Sequence, residues 1–272
     1  MRARHCGRLW WLGWHLLAWP FPGAATQATQ ATLPALPATV EVDLIYPRNE
    51  TYAPAPHMPV VFAIQNSALA AALDPDFTLV LWRVDLNYSS PFDYHLQTVT
   101  ANFSSSDPYF TYFGTDTLNH TEGLWALHWE VSFRNCSRKG LYQVQTQRHA
   151  DVVWFTTKNG APQPDLVAAA AENACDGRKG FAFNVTDLIV PFAEPKNEDG
   201  TYDGRNASCA ILSSMPVPEP QPCRVKLDAA AASSITAAIS ATPCVGCHSG
   251  AGHLRSDRVA FFAAFPLMYL LI

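Results

Sequence analysis

Apolar and polar residues alternate over several short stretches of this chain, a pattern typical of strands with one buried face. The alternation is clearest over 124–133, where one face carries Trp125, Leu127, Trp129, Val131 and Phe133. Over 77–86 it predicts a core face of Val80, Trp82, Val84 and Leu86. Further strands are expected at 59–65, 141–147, 151–157 and 181–185, separated by Pro, Gly, Asn and Asp.

The first strand begins near residue 40 and divides its side chains between two faces. Val40, Val42 and Leu44 share one face, and Glu41 and Asp43 share the other. Helical periodicity is weak, and we expect at most two helical turns, over 165–173 (DLVAAAAEN).

Seven or more short strands with turn residues between them predict an all-β fold. The expected architecture is an antiparallel β-sandwich, immunoglobulin-like in the loose sense, over residues 40–227. A second interpretation divides the same residues into two packed β domains near 115–123.

Two segments beside this domain have biased compositions. Residues 26–39 are rich in Thr, Gln, Ala and Pro, with too few apolar residues to pack, so we expect a disordered spacer. Residues 228–249 are rich in Ala, Ser and Thr. We interpret them as an O-glycosylated stalk, and the alternative is a helix, because Ala is the best helix former.

The last residues carry an apolar tail, Val259–Ile272, which is too short to span a bilayer comfortably. A polar stretch (253–258) precedes it, and small residues (249–252) precede that stretch. This order is typical of a glycosylphosphatidylinositol (GPI) attachment signal. We expect the lipid at Ser249 or Gly250 and removal of residues 250–272.

The first residues are consistent with this route. Arg2, Arg4 and Arg8 precede an apolar stretch over 9–20, and small residues end at Ala25. This is the pattern of a secretory signal peptide spanning 1–25. The mature protein is therefore predicted at the cell surface, attached to the outer leaflet of the plasma membrane or transferred to the cell wall.

Seven of the eleven asparagines lie in N-x-S/T sequons, a second sign of secretion. A glycan must project into solvent, so all seven positions should lie on the surface. They are Asn49, Asn87, Asn102, Asn119, Asn135, Asn184 and Asn206.

Six cysteines remain once the signal peptide removes Cys6. An even number in an oxidising compartment predicts three disulfides, whose pairing the spacing leaves open. The first choice is Cys209 with Cys223, because they flank a short Pro-rich loop. The six are Cys136, Cys175, Cys209, Cys223, Cys244 and Cys247.

Charge is sparse and its sign is negative. Charged residues make up 15% of the chain, and the formal net charge is −5. Both expected cleavages remove five basic residues and one acidic residue, which leaves 13 basic and 22 acidic residues, or −9. This balance excludes a nucleic-acid binder that relies on phosphate attraction.

Three stretches resemble a known family. They are VEVDLIYPRNETYAPAPHMPVVFAIQN (40–66), VVWFTTKNGAPQPDLVAA (152–169) and the region from Cys209 to Cys223. They are similar to secreted, often GPI-anchored proteins of filamentous fungi that are catalogued as a domain of unknown function. The resemblance covers about 38–245 and implies a fungal cell surface, without supplying catalytic residues.

No cofactor or metal is expected. Cys244-Val-Gly-Cys247-His248 matches the C-x-x-C-H attachment motif of c-type haem. It lies beside the expected lipid site, with no following domain to cover a haem, and secretion favours disulfides over the thiolates that zinc needs. A copper oxidase that uses an N-terminal histidine is disfavoured, because the expected first residue is Thr26.

Catalytic motifs are likewise lacking in the sequence. Glycoside hydrolysis needs two carboxylates across a cleft, and no spacing selects a pair among Asp85, Asp93, Asp107, Asp116, Glu122, Glu130 and Asp151. There is no G-x-S-x-G motif of serine hydrolases. We predict a non-catalytic structural role, or one in binding polysaccharide or surface proteins. The alternative is a wall-polysaccharide-modifying enzyme with an unrecognised carboxylate pair.

Aromatic rings are the natural candidates for contact with sugars. Trp82, Trp125 and Trp129 fall on apolar strand faces and are expected in the core. The remaining candidates lie in the stretch PYFTYF: Tyr109, Phe110, Tyr112 and Phe113. We favour a further core strand with alternate rings buried, and an aromatic binding platform is the alternative.

Overall fold

The computed structural model describes residues 32–86, 91–98, 100–137, 144–175, 177–189, 208–213, 216, 218–241 and 254–255. Its strands are β1 Ala38–Tyr46, β2 Thr51–Tyr52, β3 Met58–Gln65, β4 Asp76–Arg83, β5 Phe92–Gln97, β6 Tyr109–Thr115, β7 Gly123–Cys136, β8 Val144–Thr157, β9 Lys179–Ile189, β10 Cys209–Leu212 and β11 Leu254–Arg255. The helices are α1 Ala70–Leu73, α2 Leu166–Ala169 and α3 Ala229–Ser240, with 3-10 turns at Ser67–Leu69, Glu172–Ala174 and Pro222–Arg224.

The strands form two sheets packed face to face, which confirms the expected β-sandwich. The first sheet has the order β10-β9-β1-β3-β6, and the second has the order β11-β5-β4-β7-β8-β2. Among the described strands every pairing is antiparallel except that of β2 with β8. Both sheets combine strands from before and after residues 115–123, so the division into two β domains is wrong. Strand β11 lies within the segment that we expect to be removed.

Aromatic side chains fill the space between the sheets. From the first sheet, Phe62 contacts Phe77 and Trp129 of the second, with ring centroids 4.8 and 5.3 Å apart. Phe181 of β9 packs on Trp129 at 4.7 Å, and Phe183 packs on Phe133 at 4.1 Å. Large tilted rings at these separations bury much apolar area and add favourable quadrupole contacts. The core is therefore built around the inward face of β7, as the alternation over 124–133 predicts.

The predicted core face of β4 is wrong. Phe77, Leu79 and Leu81 are buried, whereas Trp82 is only partly buried. Because side chains alternate with a period of two, a shift of one residue moves every side chain to the opposite face. This strand is apolar on both faces, so its pattern alone does not select the buried one.

Two predicted boundaries also change. Strand β8 is continuous over Val144–Thr157, where two strands were expected. The helical stretch near 165–173 becomes the four-residue helix α2 followed by a 3-10 turn. Helix α2 begins after Asp165, whose Oδ1 accepts a hydrogen bond from the Ala168 amide at 3.0 Å, a standard N-cap.

A helical layer, consisting of α2, the turns at Glu172–Ala174 and Pro222–Arg224, and α3, packs on the first sheet away from the second. Asp228 caps α3 by accepting from the Ala231 amide at 2.7 Å, and Ala232 and Ile235 are buried. A Cβ added to Gly114 of β6 would collide with Ile239 of α3. Residues 229–240 are therefore a packed helix, and the prediction of a stalk is wrong for them.

The disulfide pairing also differs from the first choice. Cys136 of β7 is bonded to Cys209 of β10, which joins the two sheets. Cys175 is bonded to Cys223, which joins two segments of the helical layer. The predicted pair Cys209–Cys223 is wrong, because the two cysteines lie on different parts of the sandwich. Cys244 and Cys247 lie outside the described residues.

Candidate functional site on the outer face of the second sheet

Three side chains form a row across the outer face of the second sheet. Trp82 of β4 pairs with Ala126 of β7, which in turn pairs with Trp154 of β8. Trp82 follows buried Leu81, and Ala126 and Trp154 each lie between two buried residues, so all three side chains project away from the core. Trp154 is 45% exposed and Trp82 is partly exposed. We call these three residues the tryptophan row.

Ala126 has 0% of its surface exposed although it lies on the outer series of β7. The side chains around it must therefore cover it, and the two tryptophans are the largest of them. This is the arrangement expected when the indole rings lie along the sheet and turn a ring face outwards. Such a surface offers flat apolar area beside polar edges, which suits ligands with both kinds of surface.

Polar side chains border the tryptophan row. On one side the next row contains His128 between Val80 and Val152, with Asp93 beyond Val80. On the other side Leu124 pairs with Thr156. Asp93 is exposed, and His128 and Thr156 are partly exposed. The site therefore combines ring faces with hydroxyl, imidazole and carboxylate groups that form hydrogen bonds.

The glycan positions within the described residues do not fall on the outward-facing series of this sheet. Strands β4, β5, β7 and β8 carry a single sequon, at Asn135, which belongs to the inward series of β7. It lies nine positions from Ala126, or about 30 Å along the strand. Asn49 and Asn102 are exposed, and Asn119, Asn135 and Asn184 are partly exposed. Asn87 and Asn206 lie outside the described residues.

The aromatic residues singled out in the sequence do not share one face. Tyr109 and Phe113 of β6 are buried and contact Phe103 and Tyr94 at 5.1 and 5.0 Å between ring centroids. Phe110 and Tyr112 point the other way and are partly buried. This is the alternation of a core strand. Burial also raises the pKa of Tyr109 and Tyr112, because it penalises the phenolate form.

A second unusual group, which we call the buried acidic pair, consists of Glu41 and Asp43 on β1. Both point towards the helical layer, and both are nearly inaccessible. Burial raises the pKa of Asp43 to about 8, and its hydrogen bond and charge interaction with Glu41 act in the same direction. Gln65 donates to Asp43 Oδ2 at 2.8 Å, whereas Oδ1 has no donor partner. A proton held between the two carboxyl groups would satisfy Oδ1.

Arg178 lies close to this pair and joins the parts of the helical layer. Its Nη1 donates to Pro222 O at 2.8 Å, and its Nη2 donates to Ala169 O and Ala171 O at 2.7 and 2.9 Å. Burial lowers the pKa of Arg178, although Asp43 opposes this shift. Backbone carbonyls of the helical layer thus surround the Arg178 guanidinium. Because Arg178 also lies close to the buried acidic pair on β1, its position indicates that it holds the helical layer on the first sheet.

Most carboxylates considered for catalysis have structural partners. Asp85 binds Arg83 at 2.7 Å, Glu130 pairs with Arg148 at 3.7 Å and Asp151 with Lys179 at 3.3 Å. Glu122 accepts from the Asn159 amide, and Asp107 accepts from the Ser67 amide. None of the proposed carboxylates lines the cavity of about 580 Å³ between β2 and α2.

Two further observations concern the described residues alone. They contain no group of three or more His, Cys, Asp or Glu side chains placed to hold a metal ion. Their helices are all too short or too polar to cross a bilayer. Cys244, Cys247 and His248, the expected lipid sites Ser249 and Gly250, and the apolar tail lie outside them.

The tryptophan row was not predicted from the sequence. Trp154 is flanked by Val153 and Phe155, so its stretch is apolar throughout and has no alternation to assign its face. Trp82 was assigned to the core. Placing Trp82 and Trp154 on one face requires knowing that β4 and β8 both pair with β7. Only the sheet order of the folded protein gives that information.

Comparison with known protein families identifies the family of this chain. A family model described as Domain of unknown function (DUF7136) matches residues 35–252. No curated protein and no solved structure matches the chain.

Proposed function

This chain belongs to the family described as Domain of unknown function (DUF7136), and from that premise we propose that it is a cell-surface glycoprotein that binds polysaccharide. The binding surface is the tryptophan row with its polar border. The protein is delivered by a signal peptide and held by a GPI lipid at Ser249 or Gly250, on a fungal plasma membrane or wall. Its role is non-catalytic.

The observation that carries this proposal is the pair of outward-facing tryptophans on a sheet face whose described outward residues carry no sequon. Core packing does not explain the exposure of Trp154, and a ring left in water marks a contact surface when others lie beside it. Sugars suit this surface because their C–H faces stack on indoles while their hydroxyls reach polar neighbours.

The tryptophan row and helix α3 lie on opposite outer faces of the sandwich. Helix α3, which ends at Ser240, lies on the outer face of the first sheet, and the expected lipid site follows it in the chain. The tryptophan row lies on the opposite outer face, of the second sheet.

Retention on insoluble polysaccharides tests the binding role. We expect the secreted chain, truncated after Ser249, to be retained on at least one of cellulose, chitin, β-1,3-glucan and mannan, and Trp82→Ala/Trp154→Ala to lose that retention. Phe92→Ala is the matched control, since it removes an exposed ring from the same sheet but outside the row. Equal retention of all three proteins, or none on any polymer, would overturn the proposal.

The anchor is tested separately on intact cells. Phosphatidylinositol-specific phospholipase C should release the full-length protein, and the deglycosylated product should end near Ser249. A product that keeps residues 259–272 would refute the GPI anchor and leave the binding role to the retention assay.

A further inference from the structure

We propose that the tryptophan row binds a flat β-1,4-linked glycan chain that lies across the strands and contacts Trp82 and Trp154 together. This inference rests on the proposed polysaccharide-binding function and adds the ligand class and its direction. The chemistry is shared by β-1,4-glucan and chitin, whose backbones have the same linkage and equatorial substituents.

The spacing of the row sets the direction of the chain. The two tryptophans belong to strands on either side of β7, so their backbones are two strand spacings apart, about 10 Å. A ligand that reaches both rings must therefore run perpendicular to the strands. It passes over Ala126, which the side chains around it cover completely, so the surface between the two strands is formed by the indoles and their neighbours.

The type of glycosidic linkage can be inferred from which sugars of a chain turn the same face towards the protein. In a β-1,4-linked chain each sugar is turned over relative to the last, so alternate sugars direct the same C–H face to one side. Their repeat is close to the two strand spacings that separate the tryptophans. We expect the first sugar on Trp82, the second over Ala126 and the third on Trp154. Coiled β-1,3-linked and bent α-linked chains present only one ring at a time to a flat surface.

The border groups fit the edges of such a chain. Equatorial hydroxyls project in the plane of the rings, towards His128 on one side and Thr156 on the other. Both lie on strands of the row, two positions from it, or about 7 Å along the strand. On the same face Glu130 pairs with Arg148 at 3.7 Å, so the charges of these two side chains offset each other.

Tryptophan fluorescence provides the test, because Trp82 and Trp154 are the partly exposed indoles of the described residues and Trp125 and Trp129 are buried. Wild-type protein is titrated with cello- and chito-oligosaccharides of two to six sugars, and with β-1,3-linked gluco-hexaose and α-1,6-linked manno-hexaose. We expect affinity to rise at least about tenfold from the disaccharide to the trisaccharide, with little binding of the last two. The cello and chito series distinguish the two sources of the chain.

A matched pair of variants tests the path over Ala126. Ala126→Leu should displace the indole rings that cover this position and reduce trisaccharide affinity about tenfold or more, while Ala126→Ser adds a single oxygen atom and should keep the affinity. Trp82→Ala and Trp154→Ala should each remove the trisaccharide advantage. Circular dichroism of each variant checks that the sandwich is retained.

The outcomes separate this inference from the proposed function. Binding of β-1,3-glucan or mannan that depends on both tryptophans, without β-1,4-glycan binding, would overturn the ligand class and preserve polysaccharide binding. A disaccharide that binds as well as the trisaccharide would overturn the two-ring contact. No binding of any glycan, with a dimer through this face in sedimentation, would overturn both.

Discussion

Glu41 and Gln221, which are 180 positions apart, are joined by a hydrogen bond from the Gln221 amide to Glu41 Oε1. This bond connects the segment before α3 to strand β1, next to Asp43. The buried acidic pair therefore lies where the helical layer closes on the first sheet. Gly180 leaves room for it, because a Cβ there would collide with Asp43 Oδ1.

The first prediction concerns pH. The pKa of Asp43 is raised from its ordinary 3.8 to about 8, so the folded protein keeps a proton that the unfolded chain has released. The free energy of unfolding should then fall as pH rises from about 4 to about 8, by at most about 1.4 kcal/mol per pH unit. Glu41 and the Arg178 guanidinium face the same carboxyl group. Asp43→Asn should flatten this dependence and stabilise the protein near pH 8.

Urea unfolding at constant ionic strength between pH 4 and 9 measures this effect. Asn should fit the site, because its carbonyl can accept from Gln65 and its amide can donate to Glu41. If the free energy of unfolding changed with pH to the same extent in the wild type and in Asp43→Asn, that result would contradict a proton shared by Glu41 and Asp43.

A second prediction concerns the neighbouring pair Arg178 and Lys179. Arg178→Met should remove charged donors from three carbonyls of the helical layer and lower the free energy of unfolding by about 2–4 kcal/mol. Lys179→Met is the control, since its ion pair with Asp151 is exposed and should matter by less than about 1 kcal/mol. Urea titrations that give both variants the same loss would show that Arg178 does not hold the layer.

The third prediction separates the buried and exposed tryptophans. Trp129→Ala should cost about 3–5 kcal/mol, because it leaves a cavity between Phe62 and Phe181. Trp154→Ala should cost less than about 1 kcal/mol, because the ring is already half in water. Thermal unfolding monitored by circular dichroism compares them. A large loss in Trp154→Ala would assign that ring to structure.

The fourth prediction concerns the disulfides. A non-reduced digest should yield peptides that link Cys136 to Cys209 and Cys175 to Cys223. Cys175→Ser/Cys223→Ser should lower stability by about 2–4 kcal/mol, because it frees a loop of 48 residues in the unfolded chain. Mass spectrometry detects the linked peptides, and a peptide that joins Cys209 to Cys223 would contradict the structure.

The alternating pattern was sufficient for β7 and insufficient for β4. Along β7 the large apolar residues occupy one series and Glu130 and Ser132 occupy the other, so the buried face is unambiguous. Along β4, Leu79 and Leu81 compete with Val80 and Trp82, and packing against Phe62 decides between them. Along β8 apolar residues likewise occupy both faces around Trp154. The sequence pattern therefore did not predict that Trp154 is exposed, and the candidate site was not predicted either.

Local composition likewise did not predict which side chains on the outer side of the first sheet are buried. Glu41 and Asp43 have the spacing of solvated residues, but α2, the segment at Gln221 and Arg178 lie against them. The Ala-rich segment has helix propensity, yet only its contact with β6 shows that Ala232 and Ile235 are buried. The pairing of the cysteines depends on the same long-range contacts.

By itself the sequence determined the β class, the strands with a clear alternation and the family membership, because these depend on local periodicity and on the order of residues. It also predicts secretion, glycosylation and a lipid anchor from motifs that are read locally. The tertiary structure decided which face of β4 is buried, how the cysteines pair and that Trp82 and Trp154 lie on the same outer face. Those outcomes depend on which strands become neighbours, and residues far apart in the chain set that order by competing for one core.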